Sequence, residues 1–102
     1  MTILFVVKAV PPKGREAEFD RWYNEEHVPD VLKFPGMASA RRYRALEGED
    51  RYTVMAVYEL KDEATYKKFA ASEHLKNLIA DFDRRWPGCE PRMRFAYEQI
   101  WP

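Results

Sequence analysis

The run Thr2-Ile3-Leu4-Phe5-Val6-Val7-Lys8-Ala9-Val10 constrains the fold more than any other segment. It is apolar at both parities and rich in β-branched residues, so a strand made from it buries both faces. Pro11-Pro12 closes it, since proline offers no donor to a strand ladder. The pattern predicts a central strand over residues 2–10. The run is too short to span a membrane and has no basic stretch before it, so it is read neither as an anchor nor as a signal peptide.

The rest of the chain fits one domain of 102 residues, 1–102. A helix is expected from about Arg15 to His27, with Phe19, Trp22, Tyr23 and Glu26 on one stripe and His27 at its edge. Pro29 disfavours helical geometry at Val28, so the helix is expected to stop or kink there. Val31, Leu32 and Phe34 then pack a short further turn, and Pro35-Gly36 marks a reversal. A second strand is read over residues 37–45 and a third over 52–60. On the third, Tyr52, Val54, Ala56 and Tyr58 share one face. Asp62 is a good cap for a following helix. That helix carries two apolar stripes about half a turn out of phase, Tyr66-Phe69-Ala70 and Leu75-Leu78-Ile79-Phe82-Trp86. A break near Ala71-Ser72, with Ser72 as a second cap, resolves the conflict. Pro87-Gly88 ends the segment. A last strand runs over about residues 92–100, with Met93, Phe95 and Tyr97 on one face.

The order is β-α-β-β-α-β, the ferredoxin-like unit of the α+β class, with a four-stranded antiparallel sheet. Its helices cover one sheet face only. The other would show aromatics and methionine to water, which a soluble protein avoids. Pairing two such faces in a homodimer is the expected solution. The chain's fifteen aromatics, 3 Trp, 6 Tyr and 6 Phe, favour such an interface or an apolar pocket. The formal net charge is zero, with 17 basic and 17 acidic residues, which argues against a nucleic-acid partner. An RNA-recognition module shares this element order. Its aromatic stacking strand is only distantly matched by residues 51–58, which lack the expected glycine. One cysteine, Cys89, excludes an intramolecular disulfide and suits a reducing cytoplasm.

Trp22-Tyr23-Asn24-Glu25-Glu26-His27-Val28-Pro29-Asp30, Phe34-Pro35-Gly36-Met37 and Ser39-Ala40-Arg41-Arg42-Tyr43 together resemble the EthD-like branch of the dimeric α+β barrel superfamily. The resemblance covers the whole element order and is most specific over residues 19–44. It implies a homodimer whose two sheets face each other around a barrel-like cavity. It also implies a choice of chemistries: cofactor-free monooxygenases, muconolactone-type isomerases, polyketide cyclases, stress-response barrels and haem-related enzymes. Methylmuconolactone isomerases are similar at a tyrosine and histidine one helical turn apart, here Tyr23 and His27.

His27 is the leading candidate for catalysis, since an imidazole moves protons near neutral pH. Its alternative is a histidine that only caps its helix. Tyr23 either supports His27 and a developing oxyanion or is a core aromatic. Glu26 is either a buried base or a solvated side chain where the helix ends. Asn24 either binds substrate or closes a turn. Strand two puts Arg41 and Tyr43 on one face and Arg42 and Arg44 on the other. An inward arginine could clamp an anion, whereas outward ones protect an edge strand. Tyr58 and Tyr97, with Tyr52, Trp86, Phe95 and Trp101, line either a pocket or an interface. His74 reads as a surface residue. Two histidines with no close cysteine or HxH-type spacing make a metal improbable, and no cofactor motif is present. Two readings follow. One is a cofactor-independent enzyme acting by proton transfer on a cyclic or aromatic small molecule. The other is a non-catalytic ligand-binding or stress-response barrel.

Overall fold

The structure is a computed structural model that describes residues 1–89 and 92–102. Its strands are β1 (Ile3–Ala9), β2 (Met37–Arg44), β3 (Val54–Leu60) and β4 (Arg92–Glu98). They form one antiparallel sheet in the order β2-β3-β1-β4. As its composition requires, β1 lies inside the sheet, hydrogen-bonded to β3 on one side and β4 on the other. The arginine-rich β2 is an edge strand, where charge guards unpaired backbone groups. A bulge at Ala38 lets Met37 and Ala40 both face the helices.

The helices are α1 (Glu16–Trp22), α2 (Val28–Val31), α3 (Glu63–Ala70) and α4 (Glu73–Arg85). The break at Ala71-Ser72 falls where the two stripes lose phase. The carboxylate of Asp62 accepts from the Thr65 amide at 2.8 Å, and the Ser72 hydroxyl accepts from the Leu75 amide at 3.0 Å. Each cap satisfies a backbone donor that its helix cannot.

The first helical segment departs from expectation. It does not end at Val28. Residues Tyr23–His27 form a π-helical turn between α1 and α2, with the Val28 amide donating to the Tyr23 carbonyl five residues back. The wider turn moves the carbonyl four residues before Pro29 away from its ring, so proline enters the first turn of α2 without breaking the helix. His27 therefore sits inside a continuous helical segment and not at its C-terminus.

The core lies between the helices and one face of the sheet. Phe5, Val7, Ala9, Val54, Ala56 and Tyr58 point into it, against Phe19, Trp22, Phe69, Phe82 and Trp86. Trp86 is fully buried, with the guanidinium groups of Arg15 and Arg85 at 4.6 and 4.1 Å from its ring. The opposite face carries Leu4, Val6, Met55, Val57, Met93, Phe95 and Tyr97, with Arg41 and Tyr43 at its β2 edge. No described helix covers it: Tyr43, Met93 and Tyr97 are 48%, 43% and 52% exposed. Residues 99–102 lie beyond β4, where Ile100 and Trp101 are exposed.

Candidate functional site

The π-turn builds the site. Residues five apart are about 140° round an α-helix and cannot touch. The extra residue in the turn brings Trp22 and His27 together, and their rings stack at 4.8 Å with an interplanar angle of 22°. Tyr23 meets His27 edge-on at 4.8 Å, and Phe82 from α4 does so at 5.9 Å. The imidazole is thus held on three sides by aromatic rings. Its inner side joins Phe5, Val7, Tyr58 and Phe69 around an apolar pocket between helices and sheet, with Arg92 and Arg94 of β4 at one margin. The free space is about 30 Å³, room for about two waters. On its outer side His27 borders an open hollow of about 370 Å³ with Glu26, Asp30, Asp81 and Arg84. His27 therefore forms part of the wall between an apolar interior and a charged surface hollow.

Burial sets the protonation states. It is the main cause that pushes the His27 pKa down to about 4, and Arg92 and Arg94 push the same way. Asp30 and Asp81 oppose this shift with smaller effect than burial. The ring is consequently neutral at pH 7. Burial also raises the pKa of Tyr23, and raises that of Tyr58 well above the ordinary phenol value, so both are neutral donors. The two hydroxyls are close enough to influence each other's ionisation but fall short of hydrogen-bond geometry. The Tyr58 hydroxyl is left buried with no partner among the described residues.

Tyr23, His27 and Tyr58 come together in this pocket; the other candidate residues do not. Glu26 is exposed, because the π-turn carries it off the apolar stripe. The side-chain carbonyl of Asn24 accepts from Arg42 at 3.0 Å on the outer surface. Arg41, Tyr43 and Tyr97 lie on the opposite sheet face. His74 is half-buried, not at the surface. Its Nε2 donates to the Asp30 carbonyl at 2.8 Å and so ties the start of α4 to α2.

Three arginines carry more structure than their sequence context suggested. Arg42 bridges Asp20, at 2.9 Å, and Asn24, and its guanidinium lies 4.5 Å from the Tyr23 ring centre. Arg92 pairs with Asp83 at 2.7 Å and lies 4.3 Å from the Phe82 ring centre. Arg94 lies two residues on, along the same face of β4. The signal for Arg92 and Arg94 was present: if Met93, Phe95 and Tyr97 share one face, these two take the other. Among the described residues, no group of three or more His, Cys, Asp or Glu could hold a metal ion. Nor is any described helix long and apolar enough to cross a membrane.

Residues 1–89 match the domain of unknown function DUF4286. The chain belongs to the DUF4286 family. No curated protein matches it. Among solved structures it is similar to an EthD family protein from Bacillus halodurans. That match has 18% identity and a TM-score of 0.77, covering 98% of this chain and 100% of the other. A dimeric ferredoxin-like protein of unknown function from Thermobifida fusca matches at 11% identity and a TM-score of 0.70, over 97% and 92% of the two chains. A single-residue mutant of SnoaB, a cofactor-independent oxygenase from Streptomyces nogalater, matches at 14% identity and a TM-score of 0.70, over 99% and 95%. These likenesses show the fold: the chain shares its ferredoxin-like α+β architecture with an EthD family protein and with a ferredoxin-like protein described as dimeric.

Proposed function

We propose that this chain is a homodimeric, cofactor-independent enzyme that moves a proton on a cyclic or aromatic small molecule. One observation carries the reading: a neutral, buried imidazole and an unpartnered buried phenol line the same apolar pocket. His27 takes a proton from a carbon next to a carbonyl, so a C–H bond breaks and an N–H bond forms. The carbonyl oxygen gains the charge and accepts from the Tyr58 hydroxyl, with Tyr23 beside it. Return of the proton to a different carbon completes an isomerisation. The outer hollow offers a second route, since a proton on His27 can pass toward Asp30 or Asp81.

A base whose conjugate acid has a pKa of about 4 is weak. The substrate must therefore form a well-delocalised anion, as a vinylogous lactone or a hydroxyarene ketone does. The same weakness favours the second reading, a barrel that binds without turnover. Deuterium exchange separates the two. Enzyme in D2O is incubated with an enolisable butenolide and an enolisable aryl ketone, and exchange is followed by NMR. Catalysed exchange supports the enzyme; binding without exchange supports the barrel.

Tyr58→Phe gives a sharper result. Removing an unsatisfied buried hydroxyl relieves a desolvation penalty of about 1–3 kcal/mol, so the variant should be at least as stable as the parent. The same change removes an oxyanion donor, so exchange should fall by about 10²-fold or more. Denaturant midpoints and exchange rates measured together test both halves. A loss of stability would mean that the hydroxyl is satisfied in solution.

The homodimer is proposed through the uncovered sheet face. Val57 sits at its centre, opposite Val6 and beside Arg41. Val57→Glu places a carboxylate next to Arg41, which keeps the monomer soluble but buries charge at the interface. Sedimentation velocity should show a dimer for the parent and a monomer for the variant.

A further inference from the structure

The open face of the sheet is not uniformly apolar. Among the side chains that β1–β4 place on it, three are charged: Lys8, Arg41 and Glu59. Lys8 is satisfied by Asp50 at 2.7 Å. Arg41 and Glu59 form no side-chain hydrogen bond or ion pair with any described residue. They stand on neighbouring strands two residues out of step, since Arg41 lies opposite Val57 and Ser39 opposite Glu59. Arg41 is exposed on the edge strand β2, whereas Glu59 is half-buried on the interior strand β3. Glu59 also lines an open hollow of about 490 Å³ with Leu4, Tyr97 and Glu98. That hollow holds two carboxylates, and none of its described lining residues is basic.

We infer that a second copy of this chain covers the face with Arg41 of each copy placed in the hollow of the other, against Glu59 of the partner subunit. The inference rests on the homodimer proposed above and adds the two residues that set how its sheets are oriented. An apolar surface attracts without direction, so by itself it leaves many orientations open. Charge removes most of them. A carboxylate on an interior strand is costly to bury unless a cation meets it. Laying Glu59 over Glu59 would bring like charges together. A two-fold axis passing between Arg41 and Glu59 instead exchanges them, so one contact becomes two by symmetry. Arginine suits the place: its stem lies along Leu4 and Tyr97 while its planar fork reaches the carboxylate. The face is thereby complementary in charge to itself, as an isologous interface requires.

Charge-reversed variants test the inference by sedimentation velocity over a dilution series. Arg41→Glu and Glu59→Arg should each raise the dimer Kd by about 10²-fold or more, since each places two like-charged contacts at the interface. Mixed in equal amounts, the two variants should form a heterodimer with a Kd within about tenfold of the parent's, because both contacts are then restored. Rescue on mixing also shows that both variants fold. A pair formed within one chain would be restored in the Arg41→Glu/Glu59→Arg double variant but not by mixing, so loss without rescue on mixing overturns the inference. Unchanged affinity in both single variants overturns it too, and leaves the homodimer standing if Val57→Glu still gives a monomer. If either reversal prevents folding, a double-variant cycle of Arg41→Gln and Glu59→Gln takes its place. Coupling of about tenfold or more in Kd supports the inference, and additive effects overturn it. A parent that stays monomeric overturns the inference and the homodimer together.

Discussion

His27→Gln is expected to cut catalysed deuterium exchange by about 10²- to 10⁴-fold, the usual contribution of a positioned acid–base group. The dimer should persist, because His27 lies on the opposite side of the sheet from the proposed interface. Glutamine retains polarity and approximate size but cannot cycle a proton. Full activity in this variant would end the proposed mechanism. The same substitution has a stability signature with a definite sign. In the unfolded chain the imidazole protonates near pH ~6.5, whereas in the folded chain it does so only at about 4. Between those values the unfolded state binds more protons, so stability falls as the pH falls. The contribution is fully present above pH ~6.5 and its loss amounts to about 3 kcal/mol by pH ~4. Carboxylates held low by cationic or hydrogen-bond-donating partners, among them Glu18, Asp50 and Asp62, add their own acid sensitivity. They do so equally in parent and variant. Denaturant unfolding at pH 7 and pH 4.5 should therefore show a steeper acid loss in the parent, and the difference belongs to His27.

Gly36→Ala is expected to destabilise the protein by about 3 kcal/mol, which for a domain this size lowers Tm by about 15 °C. Two independent effects add. Gly36 has φ of +95°, where a Cβ costs about 1–2 kcal/mol. A Cβ built there would also stand 2.4 Å from Cγ2 of Thr65, a buried residue in the first turn of α3. Thr65 cannot easily yield, since its amide is held by the Asp62 cap, while the Gly36 carbonyl accepts from the Lys61 amide at 3.1 Å. The double variant separates the two effects. Thr65→Ser removes Cγ2, so Gly36→Ala should cost about 1–2 kcal/mol less in that background, leaving the backbone strain. An equal cost in both backgrounds would show that the steric contact does not form.

The strands were legible because their residues report burial directly. The run over residues 2–10 is apolar at both parities, and only a strand with a neighbour on each side satisfies it. The α3–α4 break was legible for a similar reason, since two stripes out of phase cannot share one helix and Ser72 stood ready to cap the second. The π-turn left no such mark. Its signal, Pro29 inside a helical pattern, reads equally well as a stop, and only packing against Phe82 and Trp86 favours the wider turn. His27 illustrates the consequence. Its residue type and distance from Tyr23 marked it as a candidate, but an imidazole at a helix C-terminus is expected to gain from the macrodipole in its charged form. Enclosure by Trp22, Tyr23 and Phe82 instead holds it neutral.

The candidate set divides along the same line. Period-two alternation put Arg41 with Tyr43, and Arg92 with Arg94, on common faces, and that needed no structure. Which face meets the helices was decided by the register of β2 and β4 against the central strands. It sends Arg92 and Arg94 to the pocket and Arg41, Tyr43 and Tyr97 to the other side. By itself, the sequence determined the element order, the central strand and the helix caps, because these depend on neighbours along the chain. The tertiary structure alone decided the π-turn, the neutral imidazole, the unpartnered Tyr58 hydroxyl and the arginine margin. Each of these arises from side chains far apart in sequence competing for the same small volume, where burial outweighs local preference.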